Sequence, residues 1–220
     1  MGERLGLPTL DFSLIEVQED DEIPLANGSH AEPGPAFISR AIEGFTWGGG
    51  EAELRAISNM EAITGLVVLD TWILNCDRYA PNGTRVNRDN VFFGRTNPRQ
   101  DGFVLMAIDH THGFACGREL NRRLGFIDML QEPNVYGLFP EFQRHITREH
   151  LHQCIQQLRM ITPDVVEEAV GQIPGEWQVN NQARHALRTF LYERAQYVVE
   201  NIETKLWPQA RLELNGEAAQ

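Results

Sequence analysis

Between Glu51 and Cys76 the chain reads EAELRAISNMEAITGLVVLDTWILNC, and this run limits the fold more than any other. Apolar residues fall at Leu54, Ile57, Ile63, Leu66, Val67, Ile73 and Leu74. Spacings of three, four and seven residues place them along one side of a helix, so the segment is predicted to form one or two buried helices. Asp70 interrupts the apolar stretch far short of the roughly 20 residues that a membrane span requires. A buried helix needs a core around it. The 220 residues supply one, being 42% hydrophobic and 23% charged, enough for one sizeable domain or a small lobe plus a larger one.

Acidic residues outnumber basic ones, 31 to 19, for a formal net charge of −12. Such a chain repels a polyphosphate backbone at long range, so no nucleic-acid partner is expected. A small phosphorylated ligand remains compatible, because a divalent cation screens it locally. The cysteines, Cys76, Cys116 and Cys154, form no CxxC pair, and MGERLGLPTLDF is not a secretory leader. These features point to a reducing, cytoplasmic compartment.

The first third reads as a small, loop-rich unit. Residues 1–8 are predicted as a helix end, stopped by Gly6 and Pro8. DFSLIEV (11–17) and AFISRAIEGF (36–45) are strand candidates, separated by an acidic Gly/Pro-rich loop and followed by a flexible connection, TWGGGE (46–51). NVFF (90–93) and FVLMAID (103–109) read as a strand pair. The remainder is helical. Thr147 is a predicted N-cap, Thr162-Pro163 a helix start and Gly171 a helix stop. Asn180 or Asn181 opens a last helix with Leu187, Leu191, Val198 and Ile202 on one stripe. The order implies an α+β protein with a small β lobe and a larger, mainly helical lobe.

The residues that could carry chemistry flank the strand pair. Asp77 follows a rigid helix, where a carboxylate can accept a proton from an attacking hydroxyl. Arg78 can hold that carboxylate or meet phosphate in a forked hydrogen bond. Asn90 precedes a strand and offers a neutral oxygen of the kind Mg²⁺ takes. Asp109 ends an apolar strand, followed by His110 and His112. Taken singly, each has a plainer reading as a polar turn. A metal site using Asp109, His110 and His112 is an alternative, though a further nitrogen or sulfur ligand at a recognised spacing is lacking. In order, an acid, an asparagine, a strand pair and a second acid match the arrangement that protein kinases use for base and metal.

WILNCDRYAPN, RDNVFF and FVLMAIDHTHGF together resemble the HipA-like kinases, relatives of protein kinases and phosphatidylinositol kinases. RLGLPTLDFSLIEV and IPGEWQVNNQARHALRTFLYERAQYV are similar to that family's N-lobe passage and closing helices, so the resemblance covers most of residues 4–205. It implies a protein-kinase-like fold, with residues 1–50 as a partial N-terminal lobe and interlobe connection, 51–210 as the helical lobe and 211–220 as a frayed tail. It implies an ATP- and Mg-dependent phosphotransferase acting on a protein or small-molecule hydroxyl. Asp77 would be the catalytic acid/base with Arg78 as loop partner, and Asp109 a metal ligand. The second metal ligand is Asn90 counted back from the strand, or Asn82 counted forward from Asp77. The strand favours Asn90, with the intervening residues bulging out.

The N-lobe departs from the family pattern. A complete kinase has a glycine-rich cover and a strand-borne lysine, whereas the one lysine here is Lys205. GFTWGGGE reads as the interlobe connection, and Arg40 as a surface arginine or a phosphate contact. A truncated N-lobe is therefore expected. An impaired pseudokinase or binding module is one alternative function, with a partner protein on the N-lobe side, and a metal-dependent phosphohydrolase using Asp109, His110 and His112 is a second.

Overall fold

Chain direction reverses first at Gly6. A 3₁₀ turn, Gly2–Leu5, ends there with φ of 72°, the left-handed conformation that glycine adopts without steric cost. The computed structural model describes residues 1–95, 102–116 and 126–208. The turn residues 96–101 and the expected tail 211–220 lie outside the described residues.

Strand β1 (Phe12–Val17) pairs antiparallel with β2 (Gly34–Ser39) as an isolated two-stranded sheet. A second antiparallel sheet has the order β3 (Gly44–Thr46), β4 (Phe92–Gly94), β5 (Val104–Met106). The single strand expected over 36–45 is thus two strands in different sheets. Ser39 closes the pairing with Phe12, while Phe45 pairs with Phe93 in the other sheet, so residues 40–43 must cross between them. The connection after β3 is also a fixed turn rather than a flexible one. Trp47 is buried, and its indole N–H donates to the Gly50 carbonyl at 2.9 Å. The Glu53 carboxylate accepts the N–H groups of Gly48 and Gly50 at 3.3 and 2.9 Å.

The run from Glu51 to Cys76 forms two helices, α1 (Glu51–Arg55) and α2 (Glu61–Ile73). Every residue of α2 from Ala62 to Ile73 is buried, because other elements close around it on all sides. It packs against α4 (Arg148–Arg159) and α6 (Asn181–Leu206). A short α3 (Gly113–Cys116) precedes them, and α5 (Pro163–Gly171) lies against α6. Trp72 donates its indole N–H to Leu191 O at 2.8 Å, tying α2 to α6. The helix starts fall at their expected caps: Thr147 accepts from His150 N, Thr162 from Val165 N and Asn180 from Ala183 N. The stripe of Leu187, Leu191, Val198 and Ile202 is buried. The whole is a mixed α+β protein, with small sheets in its N-terminal part and a mainly helical C-terminal part.

Candidate functional site

The site begins where α2 stops. Leu74 turns left-handed at φ 54°, and the Asn75 N–H closes onto the Asp70 carbonyl at 2.9 Å. This reversal folds residues 75–78 back over the last helical turn. Asp70, fully buried, then receives Asn75 Nδ2 at 2.9 Å and Arg78 Nε at 2.8 Å. Arg78 also donates to the Ile108 carbonyl at 3.0 Å. A side chain at Gly137 would enter this cluster, since a Cβ there would lie 2.3 Å from Asp70 Oδ2. The sequence reading that gave Arg78 to Asp77 or to phosphate is corrected here. Its guanidinium is buried on Asp70, eight residues earlier, because the left-handed turn faces it inward.

Asp77 emerges from this anchored turn. The next residues form a hairpin, with Tyr79 bridged to Val86, Ala80 N donating to Arg85 O, and Asn87 N donating to Arg78 O. The hairpin returns the chain to Asp77 before β4 begins. Asn90 Nδ2 meets Asp77 Oδ2 at 2.8 Å, and Asn87 Nδ2 meets the same oxygen at 3.0 Å. Arg85 Nε lies 2.6 Å from Asp77 Oδ1. Asp77 and Asn90 are both buried. Asn90 closes a 3₁₀ turn, Arg88–Asn90, rather than opening the strand. Asn82 sits at the exposed hairpin tip, where its Oδ1 accepts from Thr84 N and Oγ1. Of the two candidate asparagines, Asn90 is the one in contact with Asp77.

The opposite wall comes from the end of β5. Asn59 brackets Leu105 with two hydrogen bonds, and Ala107 N donates to Pro8 O at 2.8 Å. The chain beyond is therefore held on both sides. Asp109 is exposed, with φ 46°, a conformation that aspartate tolerates through its own turn hydrogen bonds. Its Oδ1 accepts from Thr111 Oγ1 at 2.7 Å. Thr111 Oγ1 in turn lies 3.2 Å from His112 Nδ1, which is 3.7 Å from Asp77 Oδ2. Asp109 is thus joined to Asp77 through two intervening side chains. His110 Nε2 lies 3.2 Å from Arg78 Nη2. Burial, with Arg78 adding to it and Asp70 opposing it, pushes the His110 imidazole down to about 4.

The profile of one family, described as HipA-like kinase, matches residues 1–210. The chain belongs to the HipA-like kinase family. No curated protein and no solved structure matches it.

In this HipA-like kinase chain the donor atoms suit a hard cation better than zinc. Asn90 has its amide nitrogen committed to Asp77, which leaves a carbonyl oxygen to offer, and Asp109 adds a carboxylate. The alternative site on Asp109, His110 and His112 is not supported. Both ring Nε2 atoms face guanidinium groups, Arg78 for His110 and Arg85 for His112. Among the described residues no three His, Cys, Asp or Glu gather as a metal group. Sequence reading missed Asp70, Asn75, Arg85 and Asn87. The signal for Asp70 was a lone acid in an apolar helix. The signal for Asn87 was a second asparagine in NRDN, three residues before the first. Among the described residues no helix is long and apolar enough to cross a membrane.

Proposed function

We propose that this chain is a phosphotransferase that moves a phosphoryl group from Mg-ATP to a hydroxyl of a protein or small molecule. The observation that carries the reading is Asp77. It is a buried carboxylate at the end of a rigid helix, oriented by two asparagine amides on one oxygen, in a chain of the HipA-like kinase family. Asp77 takes the proton of the attacking hydroxyl as the new O–P bond forms and the bond to the nucleoside diphosphate breaks. Asn87 and Asn90 hold the carboxylate in place. Asn90 and Asp109 would hold the metal, which supplies positive charge to the transferring group. Asp70, Asn75 and Arg78 position the loop and do not touch the substrate. A cavity of about 370 Å³, lined in part by Arg40, Ile42, Glu43, Arg95 and Met106, offers room for the nucleotide base, since Met106 ends the strand that leads to Asp109. Arg40 lines it from an exposed position, 3.5 Å from Asp11.

Calorimetric titration with Mg-ATP tests this. Wild type is expected to bind with a magnesium requirement, and Asp109→Asn to lose most of that requirement. Binding that is indifferent to magnesium and to Asp109 would overturn the assignment of the metal ligand.

A second reading, an impaired kinase that serves as a binding module, has its own observation. One face of the β1–β2 sheet leaves Phe12, Leu14 and Phe37 exposed, with Phe12 and Phe37 stacked at 5.5 Å. Such a face suits a partner protein on the N-lobe side. Absence of Mg-ATP binding in the titration would favour this reading over the first.

A further inference from the structure

The hairpin between Asp77 and Asn90 carries three arginines, Arg78, Arg85 and Arg88, and two of them have structural employment. Arg78 is buried on Asp70. Arg88 pairs with Glu141 at 3.2 Å and lies over the rings of Trp47 and Phe139. Arg85 differs. Its side chain is 49% exposed, and its ion-pair partner is Asp77 itself, at 2.6 Å. Its Nη2 lies 3.4 Å from His112 Nε2, on the side that leads to Asp109. The sequence's one lysine, Lys205, lies on α6 with its ammonium over Tyr197. Among the described residues, Arg85 is therefore the arginine that contacts Asp77, and it does so from an exposed position.

The contact has a chemical consequence. Asp77 Oδ2 is taken by Asn87 and Asn90, and Oδ1 is covered by the guanidinium. A substrate hydroxyl finds neither oxygen of a carboxylate held this way free to accept its hydrogen bond. A phosphate competes well for an arginine, through parallel charge-assisted hydrogen bonds and a larger negative charge. The hairpin backbone need not move for this exchange, since a half-exposed arginine has rotamer freedom.

We propose that Arg85 is a phosphate-binding residue held in reserve by Asp77. The phosphates of a bound nucleotide draw the guanidinium away from Oδ1, and the same movement frees that oxygen for the substrate hydroxyl. Arg85 thus links nucleotide binding to exposure of the base. This assignment rests on the phosphotransferase reading of the site.

A double-mutant cycle in binding tests it. Mg-ATP affinity is measured by calorimetry for wild type, Arg85→Ala, Asp77→Asn and the double variant. Arg85→Ala is expected to weaken binding on the order of tenfold. Asp77→Asn removes the competing charge, so it should tighten binding more with Arg85 present than with alanine there, by a factor of about five or more. Any gain from simple relief of like-charge repulsion appears in both backgrounds and cancels. If wild type binds and Asp77→Asn has the same effect in both backgrounds, the Arg85 assignment is overturned while the kinase reading stands. If none of the four proteins binds, both are overturned.

Discussion

His110 holds its ring against Arg78, and burial keeps it neutral down to about pH 4. In the unfolded chain the same imidazole takes a proton near the ordinary value of about 6.5. Between those values the unfolded state binds more protons than the folded one. Stability from this residue is therefore complete above about pH 6.5 and is lost as pH falls towards 4. Urea midpoints measured from pH 7.5 to 4.5 should fall for wild type, and the fall should be shallower for His110→Gln. Identical slopes would show that the ring is not held neutral. Asp70, on the other side of Arg78, was visible in the sequence only as a charge inside an apolar run. Its partner was not legible, because the Asp70–Arg78 contact depends on a left-handed turn at Leu74, a residue with no intrinsic preference for that conformation.

Helix α2 carries the site at its C-terminal end, and α6 secures that end. Arg194, fully buried, donates to the carbonyls of Thr71 and Trp72 in the last turn of α2, and to those of Met129, Leu130 and Glu132. It satisfies helix-end carbonyls that have no partner within α2, and it joins two segments to α6. Burial lowers its pKa to about 10, still charged at neutral pH. Arg194→Met should cost about 3 kcal/mol or more, by leaving several carbonyls unpaired in the interior. Thermal unfolding checks this, and a change within a degree or two of wild type would contradict it. Caps and helix stripes at this scale were legible, since Thr147, Thr162 and Asn180 act on backbone only three residues away. The hairpin was legible in part. Counting back from β4 favoured Asn90 over Asn82, and Asn90 is the residue on Asp77, although it sits in a 3₁₀ turn. Arg85 and Asn87 were not legible. Their meeting with Asp77 follows from the Tyr79–Val86 pairing, which nothing in NGTRVN announces.

Across the whole molecule, the order of strand-rich start, helix pair, strand pair and helical end was readable from periodicity and turn residues, while the hairpin between the helix pair and the second strand pair was not. The division of residues 36–45 between two sheets was not, because it depends on which strand lies beside Phe45. The architecture brings a buried acid and two asparagine amides together just past the end of α2, with a second acid linked to them through Thr111 and His112, in a chain of the HipA-like kinase family. Transfer of labelled terminal phosphate from Mg-ATP, followed for wild type and Asp77→Asn, measures what that arrangement is for. Wild type is expected to transfer label, and Asp77→Asn to do so about 10²–10⁴-fold more slowly while still binding nucleotide. Equal transfer by the two proteins, or none by wild type, would contradict the role given to Asp77.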